Sequence, residues 1–179
     1  MKKKTVLIGV TASIAAYKAC EVISRLKKKG FDTIAVMTGK AGHFITPLTL
    51  ETLTCNKVYV DMFELPEKRE AAHIALANRS DLITICPATA NIMARLAAGM
   101  CDDLLTSTVI SSRNPVLIAP AMNENMYTHK ITKRNILELK KAGYEFVGPA
   151  RGSLACGTAG IGHIADPDEI VKKITNILK

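Results

Sequence analysis

The stretch P-V-L-I-A-P-A-M-N-E-N-M, Pro115 to Met126, changes character in its middle. Val116, Leu117, Ile118 and Ala119 form a short continuous apolar run, the pattern of a parallel strand covered on both faces. Pro120 ends the strand, and Asn123 is suited to cap a helical turn while presenting an uncharged amide. In open α/β sheets ligands sit at the carboxyl ends of the strands, so Asn123 is both a cap and a candidate binding residue.

The same pattern recurs outward from this stretch. Upstream, the strand Asp81–Cys86 ends in Pro87-Ala88-Thr89-Ala90-Asn91, and Ile92, Met93, Leu96 and Ala97 follow at helical spacing up to Gly99. Earlier still, Thr5–Val10 reads as a buried strand that leaves through Gly9-Val10-Thr11-Ala12-Ser13 into a helix carrying Ala15, Ala19, Val22, Ile23 and Leu26. A strand, a small-residue turn with hydroxyls and a helix N-terminus make a cradle for phosphate. The turn is neither G-x-G-x-x-G nor a Walker loop, so it indicates phosphate without naming the ligand. Asp32–Met37 is a further strand with Thr38 at its carboxyl end, and Thr46-Pro47 opens the helix Leu48–Leu53. His73, in A-A-H-I-A-L-A, reads from the residues alone as a satisfied structural histidine.

Downstream, Asp102-Asp103 caps a helix over Leu104–Ser111. Ile131, Leu137, Leu139 and Ala142 mark a helix stopped by Gly143, and Tyr144–Val147 is a last short strand. Gly148 to Gly162 holds five glycines in fifteen residues and reads as a mobile loop, a lid if the protein is an enzyme. Asp166-Pro167 caps the final helix. Strands alternating with helices over short connections predict one α/β unit over residues 1–179, a doubly wound parallel sheet of about five or six strands.

Composition narrows the function. The net charge is +8, from 24 Lys and Arg against 16 Asp and Glu, but only Lys2–Lys4 and Lys27–Lys29 cluster. Such runs are solvated chain ends and helix tails, so the charge favours a phosphorylated small molecule over nucleic acid. No apolar run reaches the ~18 residues of a membrane span, and the apolar run after the first lysines is too short for a signal peptide. A cytoplasmic protein is expected. The five cysteines have no C-x-x-C spacing, so neither a disulfide framework nor a metal site is indicated.

Five segments then resemble one family in its own order: G-V-T-A-S-I-A-A-Y-K (Gly9–Lys18), F-I-T-P-L-T-L-E-T-L-T (Phe44–Thr54), P-A-T-A-N (Pro87–Asn91), P-A-M-N-E-N-M (Pro120–Met126) and G-S-L-A-C-G (Gly152–Gly157). The chain resembles the homo-oligomeric flavin-containing cysteine decarboxylases from Thr5 to Pro167. The resemblance implies a flavodoxin-like subunit that self-associates as a trimer, or as a dodecamer of trimers, with FMN between subunits. Gly9, Thr11 and Ser13 would meet the FMN phosphate, and Thr38, Thr89, Ala90, Asn91 and Ala121 would also line the cofactor. His73 becomes the catalytic histidine. Asn123 would bind the substrate carboxylate, with Met126 and Ala155 beside it, and Cys156 would return a proton. The chain departs from the family pattern at two places: Ala12 stands where the family usually has a glycine, and Gly162-His163-Ile164 in place of G-R-M.

The implied activity is decarboxylation of 4'-phospho-N-pantothenoylcysteine to 4'-phosphopantetheine in coenzyme A biosynthesis. An alkyl carboxylate lacks an electron sink. Oxidation of the thiol to a thioaldehyde provides one β to the carboxylate, so the cofactor carries the hard step. Loss of CO2 leaves an enethiol, whose reduction needs an acid, the role that fits Cys156. A peptidyl-cysteine oxidative decarboxylase would stop at the enethiol and need no such donor. A non-catalytic regulatory relative would need none of His73, Asn123 and Cys156. A chain of this length fits either a standalone enzyme or the first domain of a fusion with a synthetase.

Overall fold

Six parallel strands form the central sheet of the computed structural model, which describes residues 3–63, 70–153 and 159–179. In chain order the elements are β1 (Thr5–Val10), a 3-10 turn (Ile14–Ala16), α1 (Tyr17–Lys28), β2 (Asp32–Met37), a 3-10 turn (Gly39–His43), α2 (Pro47–Thr54) and β3 (Val58–Tyr59). Next come α3 (Ala72–Arg79), β4 (Leu82–Ala88), α4 (Ala90–Ala97), α5 (Leu104–Ser111), β5 (Val116–Pro120), α6 (Glu124–Thr128) and α7 (Lys130–Lys141). The chain closes with β6 (Glu145–Phe146), β7 (Ala150–Ser153), β8 (Ala159–His163) and α8 (Pro167–Ile177).

The sheet order is β3-β2-β1-β4-β5-β6. Without the two-residue β3 this is the order of a flavodoxin-like fold, with the direction of winding reversing between β1 and β4. Alternate residues of β1 divide the interior. Val6, Ile8 and Val10 pack with α1 and α8 through Val22, Ile23, Leu26, Ile170 and Ile174. Leu7 joins Ile83 and Ile85 under α3, α4, α5 and α7, where Leu76, Ile92, Met93, Leu105 and Leu139 close the second layer. Burial of all six residues of β1 on both faces explains its unbroken apolar run.

Two local readings change. The strand expected to stop at Cys86 runs on to Ala88, because a register shift against β5 lets Pro87 sit in the sheet without a ladder N–H. The glycine-rich stretch read as a loop contains an antiparallel hairpin, β7 against β8, with Arg151 opposite Ile161 and Gly152 opposite Gly160. Glycine weakens a strand but admits a close neighbour, and here each neighbour can be named: His163 faces Gly152, and Glu124 crowds Gly160. Residues 154–158, with Ala155 and Cys156, lie outside the described part. No helix among the described residues is long and apolar enough to cross a membrane.

Cys86 lies fully buried in β4, and burial pushes its thiol up to about 12. A thiol so raised stays protonated, and therefore unreactive, at ordinary pH. Iodoacetamide at pH 8 should label the exposed Cys55 and Cys101 in native protein and spare Cys86 until denaturant is added. Peptide mapping that finds native Cys86 labelled as fast as Cys55 would refute this picture of the core.

Candidate active site

The reversal between β1 and β4 opens a crevice at the carboxyl ends of the strands, where ligands bind in this architecture. Four strand-ending turns meet at that edge, after β1, β2, β4 and β5, and three carry a side chain that caps the next helix. Ser13 Oγ accepts from Ala15 N–H at 3.2 Å, Thr89 Oγ1 from Ile92 N–H at 3.4 Å, and Asn123 Oδ1 from Asn125 N–H at 2.9 Å. Thr38 precedes its 3-10 turn without a side-chain cap.

The turns are joined sideways, bond by bond. Thr38 N–H donates to Val10 O at 3.0 Å, tying β2 to β1. Thr11 Oγ1 donates to Pro87 O at 2.7 Å and accepts from Thr89 N–H at 3.3 Å, tying β1 to β4 across the crevice. Ala121 N–H donates to Ala88 O and Met122 N–H to Gly162 O, each at 3.0 Å, continuing the seam to β5 and β8.

This seam separates residues that the sequence treated alike. The single hydroxyl hydrogen of Thr11, 2% exposed, goes to Pro87, so what Thr11 offers outward is its turn and not its hydroxyl. Ser13 is half-buried and its Oγ only accepts in its cap, which leaves a hydrogen to donate to an anion. Packing crowds Gly9: a Cβ there would stand 2.6 Å from Leu105 Cδ1 of α5, so the leucine side chain would have to shift. Thr11→Val would leave the Pro87 carbonyl and Thr89 N–H unpaired. It should cost about 2 kcal/mol, seen as a fall of about 4–8 °C in Tm, while Thr11→Ser stays near wild type. Equal Tm values for the two variants would overturn the clamp.

His73 sits in the first turn of α3. α3 ends at Arg79, three residues before β4 begins at the opposite, amino edge. Eight helical residues rise about 12 Å, so α3 and half-buried His73 in its first turn extend from the amino edge toward the carboxyl side of the sheet. Asn123 is exposed there, and Met126 is 48% exposed on α6. Ala90 and Asn91 open α4, and Ala121 is buried at 4% beside Ala88. The edge thus combines an anion-directed turn at Ser13, the capped N-terminus of α4, and small Ala12, Ala90 and Ala121. Such a set fits a phosphate with a flat ring lying over small side chains. Among the described residues no three His, Cys, Asp or Glu side chains group as metal ligands.

Glu124 was not singled out by sequence. Its Oε1 accepts from Ile161 N–H of β8 at 3.2 Å, which joins the Asn123 turn to the hairpin. The signal was the pair Gly160 and Gly162, two strand glycines that leave room for a neighbour.

The model of the Flavoprotein family matches residues 1–179. A probable phosphopantothenoylcysteine decarboxylase of Streptococcus mutans is 43% identical over 173 residues, 96% of this chain and 97% of that one. The coenzyme A biosynthesis bifunctional protein CoaBC of Bacillus subtilis is 43% identical over 172 residues, but the chain spans only 42% of its length. Among solved structures, a Cys-to-Ser mutant of PPC decarboxylase complexed with pantothenoylaminoethenethiol superposes with a TM-score of 0.88, at 29% identity over 99% of both chains. The FMN-dependent cysteine decarboxylase SpaF gives 0.84, at 30% identity over 98% of both.

Proposed function

Because this chain belongs to the Flavoprotein family, we propose that it decarboxylates 4'-phospho-N-pantothenoylcysteine to 4'-phosphopantetheine and CO2, with FMN as cofactor. The observation that carries the reading is the set of turns bearing Ser13, Thr38, Thr89 and Asn123 at the carboxyl edge of the sheet, in a chain similar over nearly its whole length to a probable phosphopantothenoylcysteine decarboxylase. The net reaction is redox neutral: a C–C bond to the carboxylate breaks and a C–H bond replaces it.

Ser13, the α4 N-terminus with Thr89, Ala90 and Asn91, and the turns at Gly9–Thr11, Thr38 and Ala121 would hold FMN. Bound there, FMN would supply reversible two-electron oxidation of the substrate thiol, which creates the electron sink for loss of CO2. His73 would hold or take the thiol proton, since an imidazole ring nitrogen can either accept or donate one. Asn123 receives the carboxylate through a neutral amide, which orients it without the charge pairing that would oppose its departure. Met126 would help shape the pocket, with Ala155 as a further candidate substrate contact, and Cys156 would return a proton to the product carbon. Self-association as a trimer or dodecamer is supported by exposed Ile14, Tyr17, Phe44 and Leu48, all on the segments that follow β1 and β2 at this edge.

The test is anaerobic turnover of the phosphorylated substrate, following CO2, flavin absorbance and the thiol product. Phosphopantetheine as product supports the proposal. Release of CO2 with an unsaturated thiol instead would assign the chain to the oxidative cysteine decarboxylases. Asn123→Asp places a second carboxylate against the substrate's own, a repulsion of up to about 4 kcal/mol at contact distance. KM is expected to rise at least about tenfold, and unchanged kinetics would defeat the carboxylate role.

A further inference from the structure

We infer that Glu124 is a positioning residue that latches the β7–β8 hairpin to the turn bearing Asn123, an inference that rests on the function proposed above. Three contacts converge on this latch. Glu124 Oε1 accepts from Ile161 N–H at 3.2 Å. Its carboxylate lies over Gly160, so that a Cβ there would meet Glu124 Cδ at 2.7 Å and overlap Oε2. On the other side of Asn123, Met122 N–H donates to Gly162 O at 3.0 Å, and the Met122 carbonyl fills the place of a Gly162 side chain.

Asn123 therefore stands between two anchors, one backbone and one side-chain, both fixed to β8. The backbone anchor sets where the turn crosses the strand. The Glu124 anchor sets its rotation about that point, because α6 is only five residues long and Asn123 is its cap. Without the second anchor α6 can swing and carry the Asn123 amide away from the substrate carboxylate. A carboxylate accepting from a backbone N–H makes the stronger, charge-assisted kind of hydrogen bond. Glutamine keeps an acceptor oxygen at the same reach; alanine does not.

Hydrogen exchange at the Ile161 amide and steady-state kinetics, on FMN-loaded Glu124→Ala, Glu124→Gln and Gly160→Ala, test the inference. Ile161 should exchange at least about fivefold faster in Glu124→Ala and in Gly160→Ala, where the new methyl displaces the carboxylate, and near the wild-type rate in Glu124→Gln. KM should rise about five- to tenfold in the two faster variants with kcat within about threefold, and flavin content unchanged. Because both act on one contact, the double variant should show less than the sum of the single effects. Wild-type exchange of Ile161 in Glu124→Ala overturns the latch, and faster exchange with unaltered KM overturns the positioning role. If the wild type does not turn over the substrate, the functional proposal fails, while exchange and non-additivity still decide the latch.

Discussion

Gly162→Ala is expected to lower stability by about 3 kcal/mol or more, a fall in Tm of about 10 °C for a chain of this size. Two costs add. Gly162 has φ +142, a conformation that residues with a Cβ rarely adopt, and the new methyl would overlap the Met122 carbonyl oxygen. That oxygen is backbone and cannot rotate aside, and Met122 N–H is bonded to Gly162 O, so the two segments cannot separate without breaking the seam. Gly42→Ala is the control, since nothing lies within 4 Å of a Cβ there and its φ is not in the positive range. Thermal unfolding followed by circular dichroism checks both. A Gly162→Ala midpoint within about 2 °C of Gly42→Ala would contradict the packing described for β8.

His73→Asn is expected to lower kcat by about 10²- to 10⁴-fold, the usual contribution of a positioned proton-transfer group. Asparagine keeps a polar side chain of similar reach but cannot exchange a proton near neutrality. His73 is half-buried in the first turn of α3, so the substitution disturbs little packing, and flavin content and Tm should stay near wild type. Loss of turnover with intact cofactor binding separates chemistry from folding. A variant keeping kcat within threefold would remove His73 from the reaction and return it to the ordinary half-buried histidine that its local sequence suggests.

Most of the sheet was legible because buried parallel strands leave an unbroken apolar run. Thr5–Val10 and Asp32–Met37 fall where their composition puts them. Caps were equally plain: Thr46 before Pro47, Asp103 before Leu104 and Asp166 before Pro167 each bond the first turn they precede. The hairpin was hidden because its strand glycines answer to neighbours distant in sequence, Glu124 and Met122, and local propensity registers only their cost. α3 escaped notice for a related reason. Its Leu76 and Ala77 are buried among small residues that mark no strong stripe.

In the site, sequence located the turns but could not say which groups face outward. Thr11 and Ser13 look equivalent as two hydroxyls in one turn, yet one bridges the crevice and the other remains able to donate. Gly9 looked like a concession to phosphate, whereas the Leu105 side chain of α5 already crowds the space a Cβ would take. The parts played by Thr11 and Gly9 depend on residues more than seventy positions away. No short motif contains them.

The clamp at Thr11 also sets a timetable. Its partner Pro87 lies 76 residues further along the chain, and β1 finds its second neighbour only when β4 exists. At ribosomal rates of about 5–20 residues per second, the first strand waits roughly 4–15 s for that partner. During this interval one side of β1 is an open edge, able to pair with any extended segment nearby. The crevice therefore cannot close until β4 has been made.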